Sequence, residues 1–295
     1  MNGPRLMGNP FDLGNDAAYR QWRGNKLVRK PAGPAALLVV VESPEALTPA
    51  ELDAIITRCR DYNMAIYTTP RPLGKPGTLA FARQLGLTRF DSPLWTGSDG
   101  VTAIQAAGEG RQAAYIPYSN RPLSWHTDGY YNDSDHQVRG VVLHCERDAA
   151  SGGVTALMDP EIAYIRLRDE NPDHIAALSR ADVLTIPANY EADALIRPAQ
   201  TGPVFSTIDD RLHMRYSARK RYVEWRDDGA TWAARQALDL LLEGDNDDII
   251  RHRLQPGEGL ISNNVLHNRS GFEDHPETGR DRLLYRARFL DRVSA

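Results

Sequence analysis

The sequence predicts a mainly β fold with helices packed outside it, a barrel or jelly roll rather than a doubly wound α/β sheet. Three observations point there. Short strand-like runs outnumber helical ones in the second half of the chain, turn-forming residues separate those runs, and no glycine-rich strand-to-helix turn occurs. No repeat or low-complexity tract divides the chain. Residues 1–295 therefore read as one domain, with 1–110 a helical and stranded part laid on a core formed by 111–295.

Each element has a local reason. Residues 1–30 are polar and predict a surface wrap, and Ala35 to Glu42 reads as a strand. A helix follows Thr48, because threonine caps, Pro49 is tolerated in the first turn and Glu51 complements the exposed amides. It directs Leu52, Ile55, Ile56 and Cys59 inward and stops near Asn63. Met64 to Thr69 is a strand, and Thr78 to Leu85 a short helix ended by Gly86. From Arg111 to Thr155 strands and turns dominate, with Val138 to Cys145 the clearest β run. Asp159 to Asn171 is helical until Asn171-Pro172 breaks it, and a shorter helix continues to Arg180. Strand-like pieces at Val183 to Ile186, Val204 to Ile208 and Leu212 to Tyr216 precede an amphipathic helix, Asp228 to Glu243. Its apolar members are Trp232, Ala233, Leu238, Leu241 and Leu242. Arg251 to Leu254, Gly259 to Asn263 and Leu283 to Leu290 close the chain as strands.

Bulk properties exclude several classes of function. A formal charge of -4 gives no basic footprint for nucleic acid. The longest apolar stretch, Ala35 to Val41, has the size of a buried strand and not of a membrane span. The first residues lack the charged-then-apolar order of a secretory signal. Cys59 and Cys145 are the only cysteines, so no disulfide framework is implied and a reducing cytoplasm is the expected location.

The chemistry is concentrated at His126-Thr127-Asp128, at the distant His267, and in the run Arg282 to Arg288. Two imidazoles and one carboxylate suit one face of a divalent iron, with an arginine to hold an anion beside it. The triplet alone is weak evidence, since eight histidines and 26 aspartates make one His-x-Asp match close to what chance supplies. His144-Cys145-Glu146 and His275-Pro276-Glu277 are decoys of the same spacing, because residues two apart on a strand share a face. Context separates them. His144 lies in an apolar run that suits a hydrogen-bonded core histidine, and His275 in an acidic, proline-containing turn. His126 instead precedes Gly129, Tyr130, Tyr131 and Asn132, an aromatic and amide-rich turn with no evident core role; a plain surface turn is the competing reading.

If Arg282 to Leu290 is a strand, Arg282, Leu284, Arg286 and Arg288 share one face, and Leu283, Tyr285, Ala287 and Phe289 the other. The apolar face belongs against the body of the protein. The arginines then face a cavity, where carboxylates must meet them, or stand on an exposed edge as a guard against aggregation.

Four segments in order, Trp125-His126-Thr127-Asp128, Gly152-Gly153-Val154-Thr155, Asn264-Val265-Leu266-His267-Asn268-Arg269 and Arg282-Leu283-Leu284-Tyr285-Arg286, resemble the taurine dioxygenase (TauD/TfdA) family of iron(II)- and 2-oxoglutarate-dependent oxygenases. The match extends from about residue 120 to 290, and the segments after Thr48 and Thr78 also fit. The resemblance implies a double-stranded β-helix (jelly roll) core with flanking helices and helical insertions. It implies that His126, Asp128 and His267 hold Fe(II), that Thr155 and Arg282 receive 2-oxoglutarate, and that Arg286 binds an anionic group of the co-substrate or substrate. Tyr130, Tyr131 and Asn132 then line the substrate side, with Arg215 and Tyr216 as weaker candidates. The expected reaction is oxidation of a small anionic or amphoteric metabolite by O2, coupled to decarboxylation of 2-oxoglutarate to succinate. Asp128 fills the position that a halogenase leaves open for halide. The loop after His267 is longer than in taurine dioxygenase, so taurine is not the expected substrate. A metalloenzyme that uses no keto acid and a non-catalytic jelly-roll binder remain as alternatives, and a homo-oligomer stays open.

Overall fold

The computed structural model describes residues 8–91, 100–106, 115–191, 193–219, 222–244 and 246–294. Two sheets face each other. The large sheet has the order Leu38–Val40, Met64–Thr68, Glu258–Ser262, Gly140–Arg147, Leu283–Phe289 and Val101–Gln105, with only its first pair parallel. The small sheet is antiparallel, in the order Ile250–His252, Thr155–Met158, Leu266–Arg269 and Leu123–His126.

Side-chain alternation divides the apolar residues into layers. Met64, Ile66, Val141, Leu143, Leu260 and Leu284 of the large sheet meet Leu157 and Ile250 of the small sheet in one buried cluster between them. Their strand neighbours Ala65, Tyr67, Val142, Ile261, Ala287 and Phe289 pack on the opposite face, against Ile55, Cys59, Phe81 and Ala82 of two helices. Those helices are Pro49–Tyr62 and Gly74–Arg83. Ala156, Met158 and Leu266 point away from the inter-sheet space and pack under Pro160–Glu170, Pro172–Leu178 and Gly229–Glu243. The order is helix, sheet, sheet, helix, and the site opens between the sheets. Burying each large aliphatic or aromatic side chain contributes about 1.5–3 kcal/mol.

Local signals explain the element ends. Thr48 forms a reciprocal capping box with Glu51, and Asn63, at φ 58°, ends the helix in the left-handed region. The expectation for Thr78 to Leu85 begins late, since that helix starts at Gly74. Arg251 to Leu254 is displaced by one position at its start, the strand being Ile250–His252.

Two expectations are corrected. Residues 1–7 lie outside the described residues, and residues 8–30 do not merely wrap the surface: Asp16–Val28 is a helix whose buried face is Ala18, Tyr19 and Lys26. Lys26 Nζ ion-pairs with Asp159 at 2.5 Å and Glu161 at 2.6 Å, and donates to the Asp61 carbonyl. The presumed strand from Ala35 starts as a helical turn, Pro34–Leu37, because Pro34 suits a first helical turn; extended chain begins at Leu38. Part of the 111–155 segment, residues 111–114, lies outside the described residues. Among the described residues no helix is long and apolar enough to cross a membrane.

Candidate metal centre and anion pocket

His126 and His267 are directly opposite each other on adjacent antiparallel strands of the small sheet. Both rings point between the sheets, with centroids 4.2 Å apart. Each ring makes the same backbone bond, His126 Nδ1 to the Ser124 carbonyl at 2.9 Å and His267 Nδ1 to the Val265 carbonyl at 3.0 Å. A carbonyl only accepts, so both Nδ1 atoms carry the proton, and in a neutral ring the lone pair is then on Nε2, the tautomer that ligation requires. Burial, then the neighbouring His267, pushes the His126 pKa down to about 3, which keeps that ring neutral.

Asp128 enters the same space from the turn after the strand Leu123–His126. Gly129 makes that turn at φ +66°, where a Cβ would lie 2.4 Å from Val138 Cγ2. The Asp128 backbone is held on both sides by Asn264, whose Oδ1 accepts from Asp128 N at 2.8 Å and whose Nδ2 donates to Asp128 O at 2.9 Å and to Val138 O at 2.7 Å. Thr127 Oγ1 accepts from Tyr216 N at 3.1 Å, pinning the triplet to the next segment. Asn264 was quoted in the sequence only as part of a motif. Its position three residues before His267 is the signal that marks it.

The carboxylate of Asp128 is buried and asymmetric. Oδ1 faces Arg286 Nη1 at 3.1 Å and Arg288 Nη1 at 3.6 Å. Among the described residues Oδ2 has no hydrogen-bond partner, and it lies 4.0 Å from His267 Nε2. Burial by itself would raise the carboxyl pKa, but Arg286 and then Arg288 outweigh it and hold the group well below the usual carboxylate range. Among the described residues no three His, Cys, Asp or Glu side chains have closed to coordination spacing. The donor set nonetheless fits a divalent cation. A buried carboxylate oxygen without a partner is costly, and two imidazole lone pairs converge beside it.

The arginine strand divides its work. Tyr285, Ala287 and Phe289 face the helices, while Leu284, Arg286 and Arg288 face the inter-sheet space. Arg282, 6 % exposed, lines a pocket with Thr155, Gly152, Gly153, Cys145, Asp148, Arg253 and Leu284. Its Nη1 has no partner among the described residues, and Phe272 lies 5.1 Å from the guanidinium. Burial lowers the Arg282 pKa to about 10, so the group remains a cation at neutral pH, and a partly desolvated one. The structure thus brings together Thr155 and Arg282 in one pocket, and Arg286 with the carboxylate of Asp128.

The turn residues differ among themselves. The Tyr130 ring stands edge-on to His126 at 6.4 Å, and Tyr131 Oη accepts from Arg288 Nη1 at 2.9 Å. Asn132 directs its amide to Asp91 and to the His136 carbonyl, which makes it part of the turn's own bonding. Arg215 is corrected from substrate candidate to scaffold. Its guanidinium donates to the carbonyls of Pro203, Tyr130, Gln200, Leu184 and Gly202, holding the Tyr130 turn from behind. The Tyr216 hydroxyl is likewise engaged by Asp239.

Comparison with known proteins shows the family and the fold. Residues 30–288 match the family model described as "Taurine catabolism dioxygenase TauD, TfdA family". A uridine-5'-phosphate dioxygenase of Amycolatopsis sp is 33% identical over 172 residues, covering 55% of this chain and 60% of that protein. One from Streptomyces sp is 30% identical over 199 residues, covering 63% of this chain and 68% of that protein. The solved structure of asparagine oxygenase in complex with Fe(II), 2S,3S-3-hydroxyasparagine and succinate superposes with a TM-score of 0.62 at 16% identity, over 97% of this chain and 86% of that one. The family match extends over most of the sequence and the fold agrees, so the chain belongs to the taurine catabolism dioxygenase TauD, TfdA family.

Proposed function

We propose that this protein is an Fe(II)- and 2-oxoglutarate-dependent dioxygenase in which His126, Asp128 and His267 hold the iron. The carrying observation is the convergence of two Nε2 lone pairs and the unpartnered Asp128 Oδ2 on one space between the sheets. Family membership supports the same reading. When bound, iron and 2-oxoglutarate would supply, with O2, the oxidant that inserts one oxygen atom at a substrate C–H bond, the other oxygen atom leaving in succinate as the keto acid loses carbon dioxide. The chain's own part is to bind, orient and exclude water.

Arg282 and Thr155 suit the distal carboxylate of 2-oxoglutarate, since a buried guanidinium with an open donor favours a carboxylate. Arg286 suits a second anionic group; in the free protein Asp128 occupies it. Tyr130 and Tyr131 form the substrate side. The substrate is a small anionic metabolite, and a nucleoside 5'-monophosphate is the first candidate because the two relatives described above are named for uridine-5'-phosphate. We read the two facing sheets as the halves of a double-stranded β-helix, 1–295 as one domain, and the cytoplasm as its location.

The test is anaerobic addition of Fe(II) and 2-oxoglutarate, which is expected to give a weak visible charge-transfer band that His126→Ala abolishes. In air, uridine 5'-monophosphate is expected to stimulate succinate release. Absence of the band in the parent protein refutes the assignment; a band without stimulation refutes only that substrate.

A further inference from the structure

We propose that Arg288 is a positioning residue that orients Asp128 for metal binding, with Asp91 and Tyr131 as its own supports; the inference rests on the metal-centre reading above. Arg288 is 3 % exposed on the inward face of the strand Leu283–Phe289. Its Nη1 donates to Tyr131 Oη at 2.9 Å and stands 3.6 Å from Asp128 Oδ1, while Nη2 is ion-paired with Asp91. Asp91 is fixed in turn, its N–H donating to the Arg288 carbonyl at 2.9 Å and its Oδ1 accepting from Asn132 at 3.0 Å. One planar guanidinium therefore meets two carboxylates and a phenol, a set that the point charge of a lysine does not reproduce.

The two carboxylates have different duties. Asp91 offsets the charge of Arg288, so Arg288 draws on the negative charge of Asp128 less than an unpaired guanidinium would. Arg286 Nη1 hydrogen-bonds Oδ1 at 3.1 Å and Arg288 Nη1 stands beside it at 3.6 Å; with both guanidinium groups on Oδ1, the other oxygen, Oδ2, is left facing His267 with no partner among the described residues. A guanidinium with a purely structural task would need only Asp91. Its approach to Asp128, beside the hydrogen bond of Arg286 to the same oxygen and on a residue whose backbone is already clamped by Asn264, bears on the direction of the carboxylate.

Co(II) is the probe, titrated into the whole protein without oxygen and followed by calorimetry and by its visible absorption, with thermal unfolding as a control for folding. Arg288→Lys keeps the charge and loses the fork; Arg288→Gln loses both. Both variants are expected to bind Co(II) about 10- to 100-fold more weakly than the parent, with a shifted absorption band. Asp91→Asn leaves the Arg288 charge to lean on Asp128 and is expected to weaken binding in the same direction. Folded Arg288→Lys protein with the parental affinity and band overturns the proposal. If neither Arg288 variant folds, Asp91→Asn decides by the same two readouts. A parent that takes up no Co(II), or a His126→Ala variant that binds it as tightly as the parent, overturns the metal-centre reading and this inference with it.

Discussion

Two His-x-carboxylate triplets of identical spacing lie in strand regions of this molecule, and they end in opposite chemical states. In His144-Cys145-Glu146, Leu73 N donates to His144 Nε2 at 2.9 Å, so Nδ1 carries the proton and meets Tyr67 Oη at 3.0 Å; Glu146 accepts from Gly74 N at 3.0 Å. Both ring nitrogens and the carboxylate are engaged by scaffold. In His126-Thr127-Asp128 Nδ1 of the ring and Oδ1 of the carboxylate are engaged, while among the described residues Nε2 and Asp128 Oδ2 are left open. The two triplets thus differ in the donors that their surroundings leave open, and not in the triplet itself.

The largest expected effect separates the triplets by metal affinity. Asp128→Asn or His126→Ala is expected to lower Co(II) or Fe(II) affinity by more than about 100-fold, beyond the cost of losing an outer partner. Glu146→Gln is expected to leave that affinity at the parental value. Titration calorimetry on the four proteins checks both arms, and an equal loss in both triplets breaks the comparison.

The arginines sharpen it. Arg282 has an open Nη1 over a pocket, whereas Arg215 is surrounded by five carbonyl acceptors. Arg282→Ala is therefore expected to weaken 2-oxoglutarate binding by about 2–5 kcal/mol, the cost of truncating one partner of a buried charge pair. Arg215→Met is expected to act first on stability, leaving several carbonyls unsatisfied, with 2-oxoglutarate affinity retained in the protein that folds. Binding isotherms and urea unfolding of both variants separate the two roles.

Stability provides the next test. Removing the Tyr67 hydroxyl, in Tyr67→Phe, leaves the buried His144 Nδ1–H without its acceptor and is expected to destabilise the fold by about 1–3 kcal/mol. Metal affinity is expected to stay unchanged, since Tyr67 and His144 stack between the large sheet and its helices, on the side away from His126. A loss of metal binding without a loss of stability contradicts that division.

What the sequence shows and hides follows from the same physics. The strand Leu283–Phe289 was legible because its period of two is strict: arginines inward, Tyr285, Ala287 and Phe289 toward the helices. The helix Asp16–Val28 was not, because one of its three buried residues is Lys26, which any apolar count assigns to the surface. Its buried state depends on Asp159 and Glu161, more than a hundred residues away. Trp232 errs the other way. It is apolar in the pattern of Gly229–Glu243 yet 51 % exposed, its ring nitrogen donating to Asp227. The opposition of His126 and His267 is a matter of strand register, which side-chain type does not encode locally. The resemblance supplied the pairing that periodicity could not.

The smallest effect is in acid. Burial lowers the His144 pKa to about 4 and that of His213, with nearby arginines adding to burial, to about 3. An unfolded histidine titrates near 6.5, so below that pH the unfolded chain takes up protons that the folded ring refuses. Their contribution to stability is complete above about pH 6.5 and falls as the pH drops toward the folded values, by about 1.4 kcal/mol per pH unit for each ring. His144→Gln is expected to remove one ring's share of that slope between about pH 6 and 5, seen as a shallower fall in unfolding free energy with acid. An unchanged slope means that His144 is protonated in the folded state; its Nε2 would then be no acceptor for Leu73, and the contrast between the two triplets would lose its basis.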